Sequence, residues 1–245
     1  MNIKAFKYLS PVIVYVLAWL AFTQTGWLTW CPMLYAWVLL PLAELFIDAD
    51  AKNMSAAEED LAKKNRIYDY MLYIIVILQF AMLYKFLNVI EQPYLQWWEI
   101  IGRVWSMGLL CGTFGINVGH ELGHRVNKFE QALAKALLLT SLYQHFFIEH
   151  NKGHHKNVAT PQDPSSARIN EPIYTFYFRT IIFSYLSAWK IANEEMRKKG
   201  LSIFNIKNEM VQAHFIQLLF LVVILSAFSW AVTLYFLCAA AIGIL

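Results

Sequence analysis

Charge is scarce in this chain: 15% of its 245 residues are Asp, Glu, Lys or Arg, against about 25% in a soluble domain. With 58% hydrophobic residues beside that deficit, lipid rather than water is the main solvent, and an ordinary soluble enzyme is excluded. Cysteine is equally sparse. Cys31, Cys111 and Cys238 lie in apolar runs without C-x-x-C spacing, so they read as packing residues and not as a disulfide framework. A net charge of +3 is too small to make nucleic acid a partner. The first apolar run has no small-residue cleavage site and leads into another, so no removable signal is expected. Internal repeats and Gly/Ser linkers are missing too.

What is present is a series of long apolar runs, near 9–23, 27–47, 70–90 and 97–118, with lengths suited to helices crossing a core of about 30 Å. A final stretch, 211–245, carries no charged residue after Glu209. It is too long for one span and too short for two with a turn. A hinge is expected near Ser226 and Ser229, with a sixth span cut off by the chain end, so the chain is expected to be a fragment. The fold class is therefore all-α: an integral membrane bundle of about six transmembrane helices with a His-rich helical region outside the membrane. Three parts are expected: four spans in two hairpins (1–118), a histidine region (119–210), and a fifth and partial sixth span (211–245).

Basic residues set the expected orientation. Lys4 and Lys7 precede the first span, Lys52, Lys63, Lys64 and Arg66 separate the second and third, and most of the remainder fall between Arg125 and Lys207. The turns at 24–26 and 91–96 hold none. The positive-inside rule places the N-terminus, the 48–69 linker and the histidine region in the cytoplasm of a multi-pass inner-membrane protein. Lys85 and Arg103 alone fall within spans, near enough to an end to snorkel. Segment 132–147 is expected as a buried or interfacial helix, because basic residues flank it on both sides. Segment 174–191, aromatic and carrying Arg179 and Lys190, is expected to lie on the inner leaflet.

Five histidines dominate the chemistry: His120 and His124 in "NVGHELGHR", and His150, His154 and His155 in "EHNKGHHKNVATPQDP". Imidazole is a neutral nitrogen ligand that suits iron and zinc alike. At helical spacing, His120 and His124 share a face, as do His150 and His154, with His155 turned to an adjacent face. Glu121, Glu149 and Asp163, and more weakly His145, are expected to orient ligand rings. His214 reads as an isolated interfacial residue. "HELGH" also satisfies H-E-x-x-H, so a zinc protease using Glu121 as general base is an alternative. That reading leaves the second cluster unexplained, since three ligands leave zinc its open position. Five clustered histidines favour a dinuclear centre.

The segments "NVGHELGHRVNKFEQALAKALL" and "HFFIEHNKGHHKNVATPQDPSSAR" resemble the first two histidine boxes of membrane-bound non-haem diiron alkane hydroxylases. The likeness runs through "EPIYTFYFRTI" and "RKKGLSIFNIKNEM" and covers essentially the whole chain. It implies O2-dependent terminal hydroxylation of medium-chain alkanes at two iron ions, with electrons from a rubredoxin-type donor and its reductase. His120, His124, His150, His154 and His155 match iron ligands of that family. The family's N-Y-x-E-H-Y-G segment and its R-H-S-x-H-H box have no counterpart here. That departure implies a fragment lacking the third box, or an inactive short homologue.

Overall fold

The computed structural model describes residues 12–47, 55 and 65–245. The expected N-terminal orientation at Lys4 and Lys7, and most of the 48–69 linker with Lys52, Lys63 and Lys64, lie outside the described residues. Among the described residues the ordered elements are helical and no strand occurs. In chain order they are α1 (Val12–Thr23), α2 (Gly26–Glu44), α3 (Ile67–Val89), α4 (97–123), α5 (Lys128–Leu139), α6 (145–157), α7 (Ile173–Lys198), α8 (Glu209–Ala227) and α9 (Trp230–Ile244).

Three of these, α2, α3 and α8, are long and apolar enough to cross a membrane, while α1 and α9 are apolar but shorter. Helix α4 runs through segments of 14, 6 and 7 residues, which at about 1.5 Å per residue is roughly 40 Å, longer than a bilayer core. The outer faces of α3 and α8 present large apolar side chains, among them Ile74, Ile77, Leu218 and Val222, as helices facing acyl chains do. The hinge between α8 and α9 falls where the sequence placed it. Ser229 caps α9, its hydroxyl accepting from the Val232 N–H, and so satisfies a donor that the helix start leaves free.

Arg103 does not snorkel. It is fully buried, and its guanidinium donates to the carbonyls of Ala21 at 3.0 Å, Val89 at 2.7 Å and Gln24 at 2.8 Å. The planar fork ties together the ends of α1 and α3, whose last carbonyls have no helical partner. Lys85 does lie over a ring, 5.2 Å from the Trp19 centroid.

Segment 132–147 is not one helix. It breaks between α5 and α6, where Leu142 takes φ 54°, a left-handed conformation that ends a helix. The break lets Thr140 and Ser141 turn inward, both fully buried. Gln79 of α3 donates to the Thr140 hydroxyl at 3.3 Å and accepts from the Tyr15 hydroxyl at 3.0 Å, joining α1, α3 and the break within the core.

Small residues on α4 position the histidine region. A Cβ on Gly115 would lie 2.9 Å from Thr140 Oγ1, and one on Gly119 would lie 3.2 Å from Leu138 Cγ. Gly123 continues the stripe against Phe147. This row at four-residue spacing brings α5 and α6 close to α4. His120 and His124 each follow one of these glycines, so the close approach carries them to the second histidine segment.

Candidate metal centre

His120 and His124 stand on the last α-helical segment of α4, Asn117–Gly123, with His124 at its cap. Their Nε2 atoms are 2.9 Å apart. From α6, His150 Nε2 lies 3.2 Å from His124 Nε2 and 3.0 Å from His155 Nε2. One ligand nitrogen from each of His120, His124, His150 and His155 falls within 4.8 Å of the others. Two nitrogens held at right angles about 2.1 Å from one ion are about 3.0 Å apart, so the neighbouring pairs match ligands on a shared metal. The donor set, neutral imidazole throughout, fits iron or zinc.

The structure differs from the helical-spacing reading in which histidine joins His150. Residues His150–His154 form a π turn, in which i and i+5 share a face rather than i and i+4. His155 therefore faces His120, His124 and His150, while His154 is displaced from the four. Its Nδ1 lies 2.8 Å from Asp163 Oδ2, which leaves Nε2 as the nitrogen free to ligate. A second π turn, Cys111–Ile116, precedes His120 in α4 and rotates the face on which His120 and His124 stand.

Asp163 is held in turn. Its carboxylate accepts from the Ser165 N–H at 2.9 Å and from the Ser166 hydroxyl at 2.5 Å. Burial pushes this acid upward, but those hydrogen bonds and the adjacent His154 bring it below the usual carboxylate range. The surrounding loop is clasped by Arg179 of α7, which donates to both carboxylate oxygens of Glu171 and to the carbonyls of Pro164 and Ser166. No sequence signal marked Arg179 as part of this assembly; its pairing with Glu171, eight residues away, depends on the fold of the intervening loop.

The other residues expected near the ligands are placed unevenly. Glu149 is buried, its Oε1 3.5 Å from the Ser187 hydroxyl; desolvation, with the nearby Asp163 charge, raises its carboxyl to about 7. Glu121 faces outward and pairs with Arg125 at 3.1 Å, reaching the imidazoles through its charge alone. The protease alternative needs that carboxylate at the metal, and its engagement with Arg125 opposes it. His145 packs edge-on against Tyr143 and Tyr185 and its Nε2 has no hydrogen-bond partner. His214 accepts from the Tyr185 hydroxyl and donates through Nδ1 to the Met210 carbonyl.

Electrostatics favour the neutral form of three of these rings. Burial, reinforced by the surrounding imidazoles, lowers His150 to about 3. Desolvation also lowers His120 and His124, with neighbouring rings adding to it. Neutral rings with free lone pairs are the form that binds metal. Beside them lies a cavity of about 580 Å3 lined mainly by apolar groups, including Trp37, Trp105, Leu109 and Phe146. Phe146 stacks on His150 with ring centroids 4.8 Å apart, so one side chain borders both cavity and cluster.

The fatty acid desaturase family model matches residues 95–245. The chain is 34% identical over 213 residues to an alkane 1-monooxygenase of Pseudomonas putida, covering 86% of this chain and 52% of that protein. It is 34% identical over 192 residues to alkane 1-monooxygenase 1 of Alcanivorax borkumensis, covering 78% and 47%. The xylene/toluene monooxygenase hydroxylase component of Pseudomonas putida matches at 30% over 114 residues, 46% of this chain and 31% of the relative. The chain thus spans about half the length of the curated alkane monooxygenases it matches.

Proposed function

Because the chain belongs to the fatty acid desaturase family, we propose that its histidine cluster is a diiron centre serving O2-dependent hydroxylation of a terminal methyl group, with a medium-chain alkane as substrate. The observation that carries this is the convergence of four imidazole nitrogens within 4.8 Å of one another, beside an apolar cavity. His120, His124, His150 and His155 would hold metal directly, and His154 would add a fifth nitrogen through Nε2. Iron held there supplies the dioxygen chemistry that an unactivated C–H bond requires.

The chain's own groups do the rest. The cavity, within the range of roughly 300–1,000 Å3 typical of small-molecule sites, offers apolar walls that bind a hydrocarbon and exclude water. Phe146 directs the cavity toward His150. Asp163 fixes the His154 tautomer, and the Arg179 clasp fixes Asp163. The resemblance supports a rubredoxin-type donor with its reductase. The distribution of Lys and Arg supports an inner-membrane protein whose histidine region faces the cytoplasm. The three-part division at 118 and 210 follows the same logic. A site at that face meets both a lipid-dissolved substrate and a soluble donor.

The test is formation of 1-octanol from octane by membranes containing this chain, supplied with ferrous iron, rubredoxin and its reductase. Product that disappears in His150→Ala is the expected result. No product above membranes lacking the chain would overturn the assignment of activity to these residues.

A further inference from the structure

Helix α7 turns the wrong face outward for a helix in water. Ser184, Ala188, Ala192 and Met196, at four-residue spacing, form its buried stripe, within which Ala188 and Ala192 cluster with Ile148 and Met210. Away from it, Tyr174, Phe178, Ile182 and Leu186 repeat at the same spacing, and each is more than half exposed. Four successive turns thus present large apolar groups where a solvated helix would carry charge. The next position in that register is Lys190.

Between this helix and the 158–172 loop runs a groove of about 320 Å3, lined by Arg168, Arg179 and Lys190 together with Phe183, Leu186 and prolines of the loop. Arg179 is consumed by Glu171 and the loop carbonyls. Arg168 and Lys190 are exposed and make no ion pair with any described residue, and Glu171, the nearest acid in the loop, is already matched by Arg179. The groove therefore combines two exposed cations, neither in an ion pair with a described residue, with an apolar wall that continues into the exposed stripe.

We infer that this groove binds the phosphate headgroup of an anionic membrane lipid, with Arg168 and Lys190 on the phosphate and the acyl chains along Phe178, Ile182 and Leu186. A chain whose other helices enter a bilayer delivers α7 to the lipid surface, where an apolar stripe ending in a cation lies in the interface plane. Long basic side chains then reach the headgroups from an apolar stem. The site goes beyond the proposed reaction and needs only membrane residence. Its occupant would brace the same loop that carries Asp163.

Native mass spectrometry of the detergent-purified chain tests this with added phosphatidylglycerol or phosphatidylcholine. Two cations near the headgroup predict preferential retention of phosphatidylglycerol by about thirtyfold. Arg168→Ala with Lys190→Ala should abolish the preference, whereas Arg197→Ala with Lys198→Ala, on the same helix outside the groove, should keep it. Arg168→Lys with Lys190→Arg should retain it, and circular dichroism checks that every variant folds. Equal retention of both lipids, or equal loss in both alanine pairs, would overturn the inference. So would displacement of the lipid by inorganic phosphate alone, which would mark a site for the free ion. A stable dimer that binds no lipid would assign the stripe to a second copy of the chain.

Discussion

At the residue scale, the contact between His154 and Asp163 decides which ring nitrogen is available. The carboxylate lies against Nδ1 and is itself held by Ser165 and Ser166. Asp163→Asn keeps the shape but removes the charge and lets an amide N–H face the ring. Metal affinity is expected to fall by about 10- to 100-fold, as for other groups that orient histidine ligands, measured by chelator competition. Unchanged affinity would detach His154 from the metal. Glu149 makes a separate prediction. Its carboxyl, raised by burial to about 7, favours the protonated form in the fold. That contribution is complete below the ordinary carboxylate range and is lost as pH rises through 7. The loss is on the order of 3 kcal/mol. Glu149→Gln should therefore raise the Tm of metal-free protein increasingly between about pH 5 and pH 8. A difference independent of pH would place the ionised acid comfortably in the native state.

At the element scale, winding matters more than residue spacing. Read at 3.6 residues per turn, His154 pairs with His150; wound as a π turn, His155 does. A one-residue change of register is invisible in an H-x-x-x-H-H motif, which supplies a histidine for either case. Helices α2, α3 and α8 and the hinge at Ser229 were legible because they rest on apolar length and a capping hydroxyl. Arg103 was misread because its acceptors, Ala21, Gln24 and Val89, become neighbours only when the hairpins pack. The break at Leu142 likewise depends on the buried partners of Thr140. The glycine stripe of α4 yields a further prediction. Gly115→Val would drive a Cβ to 2.9 Å from Thr140 Oγ1 and force α5 away. Overpacking of this kind costs about 1–3 kcal/mol, so a lower Tm with weakened metal binding is expected. An unchanged Tm would show that α4 and α5 can separate freely.

At the scale of the whole molecule, the bundle is tied at one end by Arg103 and gathers its imidazoles at the other end of α4. The apolar cavity ends at Phe146, between spans and cluster. Under the proposed function, a lipid-soluble substrate would approach the imidazoles there, and Arg179 of helix α7 holds the loop that positions His154. Whether these histidines bind iron is read from iron and zinc per chain, by elemental mass spectrometry on detergent-purified protein. About two irons and little zinc are predicted for a dinuclear imidazole site. One zinc with no iron would exclude a diiron centre and restore the H-E-x-x-H reading, with Glu121 released from Arg125.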